Sequence, residues 1–356
     1  MNETKELNPR EELKSKWIQL KNENEKLRIR DGAEMLNVSE LELLLTDIGS
    51  ENPIITILNI SPADILSRVK DLGYVMALTR NEHCVHERKG IYGEFQKNNQ
   101  MGLFTGQDID LRIFLSHWKY VVAVQDEKQT GDISRSIQFF DKFGTAVHKI
   151  HLNQQSDHEE FSKIVADYGN NDADTIIKLE TKIQKAPIQK SELDDDQKKL
   201  FLDEWSGLQD THDFFGLLNR YSVSRIQAMS IAEGKFCNKL DKDSVNKMLE
   251  KASANEIPIM VFVYNPGIVQ IHTGTVQNIK RMGPWLNVFD KEFNLHLRED
   301  RISNVWLVRK PTADGDVQSI EVYDDQDELI VQFFGERKPG KAERSDWKNL
   351  CKDFID

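Results

Sequence analysis

No stretch of this 356-residue sequence approaches the ~20 consecutive apolar residues that a membrane-crossing helix needs. The first segment, Met1–Leu20, is charged and helix-prone and has no apolar signal-peptide core. Cysteine is scarce. Cys84, Cys237 and Cys351 make an odd count, and no two lie at metal-ligand or redox spacing, which argues against a disulfide framework and fits a reducing compartment. There is no Walker loop, no Gly-x-Gly-x-x-Gly, no Gly-x-Ser-x-Gly and no zinc-spaced cysteine set, so ordinary nucleotide and hydrolase chemistry has no support. Flavin and nicotinamide fingerprints are missing too. Positive charge is outweighed: 47 Lys and Arg face 59 Asp and Glu, a formal net charge of −12. Such a surface repels phosphate backbones and anionic lipid, which disfavours nucleic-acid partners and membrane insertion. These absences predict a soluble, cytoplasmic protein.

What is present is a chain long enough to bury a substantial core without metal or disulfide support. Hydrophobic residues make up 39% and charged residues 30%, the balance of a well-solvated globular protein. The clearest feature is an internal repeat. Displaced by about 184 residues, Val38-Ser39-Glu40-Leu41 meets Val223-Ser224-Arg225-Ile226, and Asn81, Val85 and Gly90 meet Asn265, Val269 and Gly274. Leu111 and Ile113 meet Leu295 and Leu297, and Ser136–Asp141 meets Ser319–Asp324. Four coincidences in one order point to a duplicated domain.

Each half starts with helical periodicity, Leu13, Trp17 and Leu20 in one and Phe201, Trp205 and Leu208 in the other. A helix, a turn and a second helix follow. The pattern then switches to alternation, as in Ile259, Val261 and Val263, in Ile320 and Val322, and in Leu329 and Val331. Turn residues at 141–144 and 324–327 separate the runs. Helices first and an antiparallel sheet afterwards define an α+β class. The expected division is a first repeat over 1–170, a linker over 171–198 containing Pro187, and a second repeat over 199–356.

Two features imitate chemistry. Ala33–Leu44 has the outline of a DNA-reading helix-turn-helix, but its second helix carries Glu40 and Glu42, with Asp47 just beyond, the wrong sign for phosphate. It reads as a structural helix pair. His83 with His86, and His148 with His151, are three residues apart in segments that read as strand. That spacing points them to opposite faces and disfavours chelation.

Residues 210–221 read Asp-Thr-His-Asp-Phe-Phe-Gly-Leu-Leu-Asn-Arg-Tyr. Asp210 or Thr211 is the expected N-cap, with His212 in the first turn. Phe215 and Gly216 follow on the same face. A glycine there weakens the helix unless something bulky must lie against the backbone. The positive end of a helix disfavours imidazolium, and neutral imidazole is the iron-ligating form. The corresponding stretch near Leu27 has no histidine. On the pattern alone, His212 is either a ligand or a helix-cap histidine on a partly buried face.

The chain resembles the HemS-type hemin-degrading factors, also called hemin transport proteins, over nearly its whole length. The likeness is carried by Leu-Thr-Arg-Asn at 78–81, His-Glu-Arg-Lys-Gly at 86–90, Ile-Asp-Leu-Arg-Ile-Phe at 109–114 and Thr-His-Asp-Phe-Phe-Gly-Leu-Leu at 211–218. Val-Ser-Arg-Ile-Gln-Ala at 223–228 and Phe-Phe-Gly-Glu-Arg-Lys-Pro-Gly at 333–340 complete it. The resemblance implies a duplicated α+β fold with two stacked antiparallel sheets and heme in a cleft between halves. It implies His212 as the axial iron ligand and Arg112 on the opposite heme face, both candidate catalytic residues. Arg225, Lys310, Gln332 and Arg337 would bind near the propionates, and Phe334 stands where some relatives carry tyrosine. Heme would be substrate or cargo, degraded with an external electron donor or passed from an inner-membrane importer to a separate heme oxygenase. Either a monomer or a dimer is compatible with this reading.

Overall fold

The starts of the helices are written in short-range sequence. Asn8 and Glu11 form a reciprocal capping box, as do Ser39 with Glu42, Asp194 with Gln197, and Ser224 with Gln227. The computed structural model describes residues 8–172, 175, 177–182, 192–338 and 340–355. Its chain falls into two compact units. One is Met1–Thr79, Arg88–Ile183 and Asn265–Ile268, and the other is Arg80–Glu87, Gln184–Tyr264 and Val269–Asp356. The strands belong to two antiparallel sheets, of ten and nine strands.

The first unit opens with α1 (Pro9–Glu23), α2 (Ile29–Met35) and α3 (Glu40–Leu44). Then come β1 (Ile54–Leu58), α4 (Pro62–Leu66), β2 (Gly73–Arg80), β3 (Cys84–Ile91, of which Arg88–Ile91 belong to this unit), β4 (Gln96–Asn98) and β5 (Met101–Thr105). β6 (Asp110–Phe114), β7 (Tyr120–Glu127), β8 (Ile133–Phe140), β9 (Ala146–Ser156), α5 (His158–Tyr168) and β10 (Gly169–Asn170) complete it. Neighbouring strands run β10-β1-β7-β8-β9-β2, with β4-β5-β6 as a second run. Val75, Ala77, Ile137 and Ile150 point into one buried cluster with Phe161 and Ile164 of α5. Ile55, Val122 and Phe140 point the other way and pack under Leu41 and Leu44 of α3.

The second unit repeats the plan with α6 (Asp195–Ser206), α7 (Asp213–Tyr221), α8 (Arg225–Ile231), β11 (Cys237–Leu240) and α9 (Ser244–Ala254). There follow β12 (Ile259–Asn265), β13 (Ile268–Gly274), β14 (Ile279–Met282), β15 (Trp285–Phe289) and β16 (Phe293–Arg298). β17 (Asn304–Lys310), β18 (Val317–Tyr323), β19 (Leu329–Gly335) and α10 (Ser345–Lys352) close it. Its strands run β11-β17-β18-β19-β12, with β14-β15-β16 as a second run. The face bearing Trp306, Val308 and Tyr323 packs against α6, α7 and α8. The opposite face, with Val261, Leu307, Ile320 and Phe333, packs against α9 and α10.

The expected duplication and α+β layout are thus observed. The two matching turns are built alike: Asp141 Oδ1 accepts from the backbone N–H of Phe143 and Thr145, and Asp324 Oδ1 from those of Gln326 and Glu328. The expected boundaries shift. α6 starts at Asp195, inside the proposed linker, because Asp194 caps it. Of the linker, residues 173–174, 176 and 183–191, including Pro187, lie outside the described residues.

Two hairpin tips also leave the unit that their sequence position suggests. Asn81 Nδ2 donates to the carbonyls of Tyr264 and Ile330, and Asn265 Nδ2 to that of Val147. A cut made along the sequence cannot register such bonds. The helix-turn-helix lookalike is a structural pair: Glu40 of α3 pairs with Lys149 of β9. Both members of the His148–His151 pair lie on β9, while His86 lies on β3 and His83 just before it.

Candidate functional site

His212 lies at the N-cap position of α7, one residue ahead of the first turn. The displacement has a local cause. Asp210 folds the chain early, its Oδ1 accepting from the His212 backbone N–H at 2.8 Å and from the His212 ring Nδ1 at 2.6 Å. Asp213 Oδ2 in return accepts from Asp210 N–H at 3.1 Å. The imidazole makes no capping bond to the helix, and its side chain is 93% exposed. It is therefore neither a cap nor partly buried. Asp210 is held below the usual carboxylate range by its hydrogen bonds from the His212 backbone and ring, with Arg337 adding its charge. Because a carboxylate only accepts, Nδ1 carries the proton and Nε2 is the nitrogen left for a ligand.

Around that nitrogen the surface is open. A pocket of about 520 Å3 is lined by Glu204, Leu208, Gln209, His212, Gly216 and Arg220, among others. Phe215, next to Gly216, is 67% exposed, unusual for a phenylalanine on a helix that buries Phe214, Leu217 and Leu218. Arg220 and Tyr221 both bond to Glu204 and tie the end of α7 to α6.

The inner side of α7 meets a buried charge cluster. Register sets Glu321 of β18 directly opposite Gln332 of β19 and Trp306 of β17. Glu321 is fully buried. It accepts from Arg225 Nη2 at 3.1 and 3.2 Å, Lys310 Nζ at 2.8 Å, Ser319 Oγ at 3.0 Å and Tyr323 OH at 2.5 Å. Burial alone would raise its pKa, yet the charges of Arg225 and Lys310 hold it well below the carboxylate range. Burial pulls Lys310 below its ordinary value, partly offset by Glu321. Phe214, two residues after His212, brings its ring to 5.5 Å from the Arg225 guanidinium carbon and 4.8 Å from Lys310 Nζ.

Two of the expected binding residues, Arg225 and Lys310, lie under Phe214 on the inner side of α7, and they do not form an open cradle. Arg225 and Lys310 converge on Glu321, with two cations against one carboxylate. Gln332 accepts a hydrogen bond from Tyr264. Arg337 is half-buried and close enough to Asp210 to act on it. Phe334 lies against Phe262, ring centroids 5.0 Å apart, and Phe262 stacks on Tyr264. Arg112 belongs to the first unit. It lies on β6 between buried Leu111 and Ile113, is half-buried, and pairs with Asp110. Burial raises Asp110 in spite of that partner's charge.

The sequence reading missed Glu321, Tyr323 and Tyr264. A charged residue between Ile320 and Val322 was the available signal for Glu321. Among the described residues no group of three or more His, Cys, Asp or Glu is placed to hold a metal ion.

A twice-repeated α+β unit, with one exposed imidazole anchored by a carboxylate on α7 and a cluster of two cations on one carboxylate under Phe214 of the same helix, marks the class of protein made by duplication of a domain. The particular family follows from comparison. The model of the haemin-degrading HemS/ChuX domain matches residues 37–168 and again 222–354, and the chain belongs to that family. The hemin transport protein HmuS of Yersinia pestis is 32% identical over 346 residues, covering 96% of this chain and 97% of its own. The crystal structure of holo-PhuS, a heme-binding protein from Pseudomonas aeruginosa, shares 42% identity at a TM-score of 0.90, covering 98% of this chain and 99% of its own. The heme degrading enzyme ChuS of Escherichia coli O157:H7 shares 30% at 0.87, covering 98% and 100%.

Proposed function

We propose that this chain binds heme through Nε2 of His212, serves heme-iron utilisation in a bacterial cytoplasm, and opens the tetrapyrrole to release iron with electrons from an external donor. The observation that carries the reading is the exposed, carboxylate-anchored imidazole of His212 beside the exposed ring of Phe215. A carboxylate behind a ligating histidine fixes its tautomer and raises its basicity. The residues present suit the group. Aromatic surface suits the apolar disc, and the excess positive charge of Arg225 and Lys310 over Glu321 suits its carboxylates, at roughly 1.5–3 kcal/mol per charge-assisted contact. Arg337 lies near the same helix end. Arg112 enters as the distal arginine that the family likeness implies, and to serve it must share or leave Asp110. Bound heme supplies the redox-active iron; the protein binds, orients and places donors around it.

Hemin added to the chain gives a sharp Soret band, and His212→Ala broadens or weakens it; an unchanged spectrum in that variant removes His212 from the reading. Degradation is tested with reductant under air and catalase, which removes free peroxide. Loss of the Soret band with a defined linear tetrapyrrole supports an enzyme.

A second reading is a carrier, which takes heme from an inner-membrane importer and yields it to a separate heme oxygenase. The 93% exposure of the His212 side chain favours it, since a ligand held at an open surface exchanges readily. Stable heme in the same assay supports the carrier.

A further inference from the structure

Among the described residues, glycine occurs inside an α-helix at two positions, Gly32 in α2 and Gly216 in α7. Glycine is the poorest helix former after proline, so each position calls for a reason. The protein supplies one for Gly32: a Cβ there would sit 2.2 Å from Cζ3 of Trp17, inside the ring's own volume. It supplies none for Gly216. That residue is helical and not at positive φ, so the freedom that only glycine has is not used. A Cβ added to it would meet nothing closer than Arg220 Nη1 at 3.6 Å, an ordinary contact with the end of a flexible, exposed side chain.

The space that Gly216 leaves is therefore filled by no part of this unit. It lies in the pocket that His212 also lines. Residues i and i+4 of a helix share a face about 6 Å apart along the axis. Side chains lean toward the helix N-terminus, so one at 216 would lean toward His212. Phe215 flanks the gap with an exposed ring.

We propose that Gly216 is a specificity-determining residue: its missing side chain leaves the outer face of α7 flat, so that a planar macrocycle held at Nε2 of His212 can spread over the next helical turn. This rests on the reading of His212 as the iron ligand. A compact ligand at Nε2 would not need the gap; a rigid disc wider than one helical turn does. The glycine thus selects flat ligands at the expense of helix stability.

The test sets two properties against each other in Gly216→Ala and Gly216→Leu of the full chain. Without ligand, both variants should melt about 1–3 °C higher than the unmodified protein, since a better helix former replaces glycine. Hemin titrated into the same samples should bind roughly tenfold more weakly to the alanine variant and more weakly still to the leucine variant. A merely structural glycine would lower melting temperature and affinity together, and that result overturns the proposal. So does hemin affinity within about twofold of the unmodified chain. If instead the unmodified chain and His212→Ala give the same hemin spectrum, the ligand assignment itself has failed and this inference falls with it.

Discussion

The two halves solve the same local problem with opposite charges and opposite exposure. In the first, the residue after the Ser39 cap is Glu40, which pairs with Lys149 of β9. In the second, the residue after the Ser224 cap is Arg225, which pairs with Glu321 of β18, where Lys310 adds a second cation. A one-to-one pair has no net charge to offer a ligand. A two-to-one cluster has an excess positive charge, and the Arg225 side chain, 30% exposed, carries it toward solvent. The second helices differ in the same sense. Both end at a residue in left-handed conformation, Asn37 and Ser222. Counted back from there, the two glycines are one position apart, about 100° around the helix. Gly32 therefore faces Trp17, and Gly216 faces out. Duplication supplied two similar units; substitution closed one surface and left the other open.

The strongest way to break the comparison is to remove the central carboxylate. Glu321→Gln leaves buried Lys310 and partly exposed Arg225 without their anion and should lower stability by about 3–5 kcal/mol. Lys149→Met, which breaks the one-to-one pair with Glu40, should lower it by only about 1–3 kcal/mol. Equal losses in urea unfolding would erase the distinction drawn between a cluster and a pair.

Next in size is Gly32→Ala. Its Cβ would overlap Trp17, so unfolding should show a loss of about 1–3 kcal/mol, the reverse of the gain expected from alanine at 216. A neutral result would mean that Trp17 moves aside freely and that the two glycines are not different in kind.

The units should also answer pH in opposite directions. His148, hydrogen-bonded to Thr79 and Tyr92, is held down to about 3 by burial, with the charge of His151 adding. Its folded value lies below its unfolded one. The stability from the neutral ring is therefore complete above about pH 6.5 and declines as pH falls toward 3. Glu343 accepts from Gln318 N–H, and burial pushes it up to about 7. Its folded value lies above its unfolded one, so stability is complete below about pH 4.5 and declines as pH rises through 7. Each slope should reach at most about 1.4 kcal/mol per pH unit. Glu343→Gln should remove the decline between about pH 4.5 and 7 and leave the loss on further acidification. If both declines survive, neither is due to that carboxyl.

The smallest expected effect is at Phe334. Phe334→Tyr adds one hydroxyl next to Phe262 and should tighten hemin binding by about 0.5–1.5 kcal/mol if that hydroxyl finds a partner on the ligand. No change would place residue 334 outside the contact.

Much of this protein is determined by its sequence at short range. The capping boxes, the Asp141 and Asp324 turns and the switch from helical to alternating periodicity are carried by residues a few positions apart, and the repeat of these patterns along the chain yields the α+β duplication directly. His212 stood out by residue type and by its place at a helix start. Three things were decided only in three dimensions. Strand register brought Arg225, Lys310, Ser319 and Tyr323 onto Glu321, because which side chains meet across a sheet depends on pairing and not on spacing along the chain. The Asp210 turn moved His212 out of the first turn and exposed its ring. And the hairpin tips at Asn81 and Asn265 joined units far from them in sequence, because their amides satisfy backbone carbonyls that only the folded chain brings within reach.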